Sequence, residues 1–481
     1  MDNNTAVSGT MPNDMSESLL VGRQSGECSW ESVCQFLERS PARRHTILFA
    51  LCLCNACDAV ATMSIGFILN QLGDTVSDFQ KTFLAAAVFV GMSVGGLIAG
   101  YFANRYGRTR TLVVALFFEG VAALAGALLP TMNAFIASRI ISGVAIGATI
   151  PVLFILCPEV IAPTKREAYL TYVTGSFALG SIFAGLLAYL CFQVLMTSWQ
   201  LYYGLTALFP LLTAAIVYQF VPQSPIHLAR NPEQFEEFKE SLSYLHPGAS
   251  ETCIQNVAAF NTDWGLQEKP STSGFVESMR DFFTEDRSMK FRLMVISFAI
   301  AWVFYGLSMW TVSMFENLGM DDPYLSSLFF TICGTVGSLT CIAFVQSVGM
   351  KPYILATFSV ATVSCLLGIF LESAGWAIAL ACITNTAISG LFNAVTTYQS
   401  VVPLHDRPLS MGFFGATARV GSIGAQFLMG YFQAADTLWI IHGVNALLLG
   451  VGMLNATTLP KINTVANYRR FVSQLSQSFV E

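Results

Sequence analysis

From residue 46 to residue 459 the chain alternates between long apolar runs and short polar breaks. The runs approach or exceed 20 residues, enough for a helix to cross a hydrocarbon core about 30 Å thick. They fall at 46–69, 82–103, 111–129, 134–157, 169–193, 201–221, 291–315, 324–346, 353–371, 375–400, 409–432 and 437–458, which predicts twelve transmembrane helices. The longest polar stretch, 222–290, separates the sixth run from the seventh. Within it Asn231 can cap a helix with Pro232 in its first turn. Phe235, Phe238, Leu242 and Leu245 then recur at helical spacing, and a second amphipathic piece carries Phe275, Met279, Phe282 and Phe283. Short helices at the inner membrane face are expected there. The pattern divides the chain into a tail (1–45), a six-helix bundle (46–221), a linker (222–290), a second six-helix bundle (291–459) and a second tail (460–481).

Composition fits this all-α membrane architecture. The chain is 54% hydrophobic and 11% charged, against about 25% charged in a soluble protein. The distribution of charge sets the orientation. With both termini in the cytosol, all but three of the 24 Lys and Arg fall in inner segments, the exceptions being Lys81, Arg139 and Arg419. Outer loops carry acids such as Asp74, Asp321 and Asp436. This is the positive-inside bias of a multi-pass protein.

The halves echo each other. "LGSIFAGLL" at 179–187 and "VGSIGAQFL" at 420–428 align at an offset of 241, and the same offset places Arg166 on Arg407. Two related six-helix bundles with a site at their interface are a usual layout of secondary transporters.

Particular motifs narrow the reading. "GYFANRYGRTR" (100–110) resembles the loop signature G-x-x-x-D-R-x-G-R-R of the major facilitator superfamily. "SRIISGVAIGATIPVLFILCPEVIAPTKREAYLTY" (138–172), "SWQLYYGL", "PQSPIHLARNPEQF" and "VVPLHDRPLSMGFFGATARVG" resemble the branch that holds synaptic vesicle glycoprotein 2 and the organic ion transporters. The resemblance implies two pseudo-symmetric six-helix bundles and alternating access. It also implies a gating role at the inner face for Asn104, Arg105, Gly107, Arg108, Glu159, Arg166 and Arg407. The chain departs from the pattern in places. Asn104 stands where the loop signature has Asp, Gln223 and Ile226 replace acid and base after the sixth span, and Ala61 stands where a second acid is expected beside Asp58. Arg105, Arg108 and Arg110 are also expected to hold the loop among lipid headgroups.

Four ionisable residues lie well inside spans: Asp58, Glu119, Arg139 and Arg419. Each costs about 2.5–3.5 kcal/mol or more to bury there, which marks them as functional candidates. At about 1.5 Å per residue, Asp58 and Arg139 sit roughly 18 and 22 Å from the inner face, so an Asp58–Arg139 pair is expected. Arg419, near the midplane, has no acid at its depth in the second half; either an acid from the other half reaches it or its charge faces the cavity. The resemblance favours the second, since anion-handling relatives carry a cation in this region. Trp302 and Tyr305, with Met309, share one face of the seventh span, and Asn385 and Asn393 are polar positions on the tenth.

The expected function is secondary transport of a small organic solute, anionic or zwitterionic, with protons as candidate coupling ion through Asp58 or Glu119. The alternative is a vesicle-membrane binding or trafficking protein on a transporter fold. No phosphate-binding G-x-x-x-x-G-K-[ST] loop is present, and the five histidines are scattered, so an enzyme is not expected. The partners expected are the solute, protons and the lipid bilayer, with no nucleic acid and no cofactor, and the chain acting as a monomer in the plasma membrane or a vesicle membrane.

Overall fold

A computed structural model describes residues 41–73, 76–129, 131–160, 166–228, 234–245, 286–370, 374–401, 407–432 and 437–460. Twelve long helices account for most of it. The first half holds α1 (Pro41–Gln71), α2 (Asp78–Tyr106), α3 (Arg108–Leu128), α4 (Met132–Val160), α5 (Arg166–Tyr189) and α6 (Trp199–Phe220). Two short helices follow, α7 (Pro225–Leu228) and α8 (Phe235–Leu245). The second half holds α9 (Arg287–Asn317), α10 (Pro323–Val348), α11 (Met350–Gly368), α12 (Ala374–Val401), α13 (Arg407–Phe432) and α14 (Leu438–Thr457). Eleven of the twelve are long and apolar enough to cross a membrane. The exception, α13, carries Arg419 and Gln426 in its middle and is packed along α9 and α2.

Local chemistry sets several boundaries. Ser77 and Gln80 form a capping box at the start of α2, and the Asp322 side chain accepts from the Leu325 N–H at the start of α10. Such caps satisfy N–H groups that have no partner within the helix. The two inner hairpin turns, α2–α3 and α10–α11, bend at Gly107 and Gly349 with φ of 96° and 92°, a region that side chains rarely enter.

The repeat seen in the sequence is also a repeat of packing. In the first half α1 packs on α5 and α6, α2 on α4, and α3 on α4 and α6. In the second half α9 packs on α13 and α14, α10 on α12, and α11 on α12 and α14. The aligned Arg166 and Arg407 begin corresponding helices, α5 and α13. The halves meet where α2 lies along α13, α5 along α10 and α1 against α9. Glycines permit the tightest approach: a Cβ on Gly91 or Gly95 of α2 would strike the backbone of α4 at Ile140 and Val144. Gly100, further along α2, faces open space.

At the end of the bundle where α2 and α10 begin, the halves are stitched by Tyr324 of α10. Its hydroxyl accepts from Gln71 Nε2 at 2.7 Å and donates to the Phe67 carbonyl at 3.3 Å, and its ring lies 5.5 Å from that of Phe192. At the opposite end α8 forms a foot beneath the first half. Phe238, Leu242 and Leu245 are buried in one cluster with Ile47, Leu112 and Val160, in keeping with the helical spacing read from the sequence. The Asn231–Pro232 start, the 275–283 segment and the tails over 1–40 and 461–481 lie outside the described residues, and the first helix takes in 41–45 of the expected tail.

Candidate functional site

Eight helices, four from each half, enclose a central cavity of about 160 Å³. They are α1, α2, α4 and α5 with α9, α10, α12 and α13, while α3, α6, α11 and α14 contribute no described residue to its wall. Among the described wall residues Arg419 is the one with a formal charge. It is 7% exposed, one guanidinium nitrogen lacks a hydrogen-bond partner, and the group sits 5.2 Å from the centroid of Tyr305. That is cation–π distance. Tyr305 and Asn393 also reach the wall. The Nδ2 of Asn393 is buried without a partner.

Trp302 does not reach the wall. It packs against Gly424 of α13 and Phe298. At about 100° per residue, three positions along a helix turn the side chain by roughly 60°. That is enough to put Tyr305 on the cavity and Trp302 between helices. Asn385 lines the cavity but spends its amide on the Phe330 carbonyl at 2.7 Å, which joins α12 to α10.

The expected Asp58–Arg139 pair is not formed. Arg139 donates to the Ala61 carbonyl at 3.0 Å and to the Tyr203 hydroxyl at 3.2 Å, and its charge acts on Glu119. Asp58 instead lies in the fields of Glu119 and of Arg419. Equal depth placed Asp58 and Arg139 at one height, but their bearing around the helix axes differs. At position 61 the family pattern has an acid, and here a backbone carbonyl receives the arginine. Glu119, on a helix that is usually peripheral, is wholly buried within the first half. Asp58, Glu119 and Arg139 are all absent from the described cavity wall.

The inner loop also differs from expectation. Arg108 does not reach headgroups; it is 5% exposed. Its Nε lies 3.2 Å from the Glu159 carboxylate, and its NH1 lies 2.6 Å from His227 Nδ1. Thr109 donates to the Pro222 carbonyl at 2.8 Å, and its N–H donates to Gln223 Oε1 at 3.2 Å. The Gln223 side chain packs on Gly107. The loop is therefore a latch for the chain leaving α6. Arg105 is exposed and donates to Tyr101, Arg110 pairs with Glu237 of α8 at 2.8 Å, and Asn104 is exposed. The side chains of Arg166 and Arg407 lie outside the described residues.

Sequence reasoning passed over Phe177, Phe304 and Asn55, all on the wall. Phe392 lines it too. Apolar and aromatic residues on a membrane helix carry no mark that separates a cavity face from a lipid face.

Known proteins place this arrangement. The model described as the Major Facilitator Superfamily matches residues 51–426, and the chain belongs to that superfamily. Synaptic vesicle glycoprotein 2A of Bos taurus is 26% identical over 315 residues, covering 58% of this chain and 42% of that protein. The chain thus spans less than half the length of that relative. The niacin transporter NiaP of Acinetobacter baylyi is 22% identical over 400 residues, covering 81% of this chain and 88% of its own. The xylose transporter XylE of E. coli, in a partially occluded inward-open conformation, shares the fold. Its TM-score is 0.70 at 15% identity, covering 88% of this chain and 99% of that one.

Proposed function

We propose that this superfamily member moves a small organic anion across a membrane by alternating access between its two halves. One observation carries the reading: the cavity wall presents a single formal charge among its described residues, the positive charge of Arg419, with a nitrogen left free. A cation held in a low-dielectric chamber is costly unless a counter-charge arrives. The acids of the first half, Asp58 and Glu119, stand off the wall, which favours an anion over a zwitterion. A net positive chamber also suits a relative that carries niacin, a carboxylate at neutral pH. Asp58 and Glu119 are the two acids at depth and the places where a coupling proton can ride.

Purified protein in liposomes should take up a radiolabelled organic anion with saturation. Arg419→Ala should reduce uptake by about tenfold or more, because a hydrogen bond to a charged group contributes about 1.5–3 kcal/mol. Uptake indifferent to that substitution defeats the reading. A second reading, a vesicle-membrane trafficking protein with little flux, draws on the likeness to synaptic vesicle glycoprotein 2A and on the altered loop at Asn104. Absence of flux for every anion tried, with a native fold, would favour it. In either case the chain acts as a monomer in a vesicle or plasma membrane, with its termini in the cytosol.

A further inference from the structure

The latch after α6 contains a side chain whose charge changes near neutral pH. His227 lies in α7 and is 4% exposed. Its place is fixed by the wholly buried Ser224. The Ser224 carbonyl accepts from the N–H groups of His227 and Leu228, both at 3.1 Å, and the Ser224 hydroxyl accepts from the His227 N–H at 3.3 Å. The ring is thereby aimed at Arg108, with Nδ1 2.6 Å from a guanidinium nitrogen. A guanidinium only donates and does not give up its proton, so Nδ1 is the acceptor and carries no hydrogen. The latched imidazole is neutral, its proton on Nε2.

A second proton has no place there. It would turn Nδ1 into a donor and set two cations 2.6 Å apart, where Arg108 is only 5% exposed. The charged groups on the surrounding elements do not offset this. Glu159 of α4 is already engaged by Arg108 at 3.2 Å. On α8, Glu237 is taken by Arg110, Glu236 by Lys239, and Glu240 is exposed. Arg105 of α2 is exposed and bonded to Tyr101. At Gln223 and Ile226 the chain lacks the fixed acid and base of the family pattern, and the group that meets Arg108 is one that titrates.

We infer that His227 is a proton-operated catch: neutral, it holds Arg108; charged, it releases the loop that ends α2. The released form carries one more proton than the latched form, so falling pH favours release. A solvated imidazole titrates near pH 6.5, which sets the window below that value. The loop closes α2, the helix that lies along α13 of the other half. Acid on the loop's side of the membrane therefore reaches the seam between the halves. None of this depends on the solute in the cavity.

Hydrogen exchange of the purified full-length protein, followed by mass spectrometry between pH 7.5 and 5.5, tests the catch. Exchange of 104–110 and 222–228 is divided by the intrinsic amide rate at each pH. In the native protein the quotient should rise about tenfold as pH falls over that range, because the released population follows a proton taken up near pH 6.5. In His227→Asn, whose amide oxygen accepts from Arg108 but takes no proton, it should stay flat. His227→Lys, a fixed cation, should hold the raised value at both ends of the range, with native protection of α11 showing that the fold is intact. A flat quotient in the native protein overturns the inference. So does a native-like rise in His227→Asn, which would assign the proton to another group, or a His227→Lys protein as protected as the native at pH 7.5.

Discussion

The two halves treat buried charge in opposite ways. The first half seals Asp58, Glu119 and Arg139 inside its own packing, each at most 1% exposed, and shows none of them on the described cavity wall. The second half sets Arg419 on that wall beside Tyr305. The insertion cost is comparable for all four, about 2.5–3.5 kcal/mol on biological scales. The surroundings differ. Arg139 donates to fixed neighbours, the Ala61 carbonyl and the Tyr203 hydroxyl, and its remaining unpartnered nitrogens lie off the cavity wall. Arg419 has its unpartnered nitrogen on a side chain that lines the cavity. Depth in a span therefore does not separate a brace from a binding group; the direction in which the side chain faces does.

The largest effect that can break this contrast is Arg139→Ala. It removes the cation whose charge acts on Glu119 and the donor to the Ala61 carbonyl and the Tyr203 hydroxyl, hydrogen bonds from a charged group that contribute about 1.5–3 kcal/mol each. Thermal unfolding in detergent should show a marked fall in midpoint, while Arg419→Ala should leave the midpoint nearly unchanged and lose uptake. Adding Glu119→Gln to Arg139→Ala should recover part of the lost stability. If Arg139→Ala instead unfolds at the native temperature and loses uptake, the sealed cluster belongs to the solute path and the contrast fails.

A smaller effect is expected where the halves touch at the outer end. Tyr324→Phe removes the acceptor of Gln71 and the donor to Phe67, each bond contributing about 0.5–1.5 kcal/mol. The change should loosen the outer seam and raise outside labelling of Ser327→Cys, a cavity residue one turn along α10, by about three- to tenfold. Unchanged labelling would mean that the ring of Tyr324 against Phe192, rather than its hydroxyl, closes the seam.

How much of this was legible beforehand follows from the physics of each signal. The spans and the two-fold repeat were, because an apolar period and a 241-residue echo survive in one dimension. Arg419 was, because a lone charge at mid-depth stands out against apolar neighbours. The partner of Arg139 was not: residue count along a helix gives height, while partner choice needs the rotation of α1, α3 and α4 about one another. The latch role of Arg108 was hidden for a related reason, since His227 and Glu159 reach it from segments 119 and 51 residues away. The aromatic part of the cavity wall was hidden because Phe177 and Phe392 look like any lipid-facing phenylalanine.

The smallest effect concerns the inner seam, where the halves meet through α2 and α13. Gly96 of α2 faces Gly412 of α13, the Gly96 carbonyl lying 3.9 Å from where a Gly412 Cβ would stand. The two helices run in opposite senses. From that contact Asn104 lies eight residues, roughly 12 Å, further inward, and Arg407, the first residue of α13, lies five, roughly 7.5 Å. Asn104 is therefore just beyond the positive end of the α13 dipole. An acid there gains about 0.3–1 kcal/mol from that end, whereas the neutral amide gains little. Asn104→Asp should tighten α2 against α13, favour the outward-facing arrangement and lower inside labelling of Met411→Cys by about two- to fivefold at low salt. High salt should erase most of the difference, because Asn104 is exposed. Labelling that is unchanged at low salt would show that charge at position 104 does not hold the inner seam. Charge at the seam would then contribute nothing to the contrast between the halves.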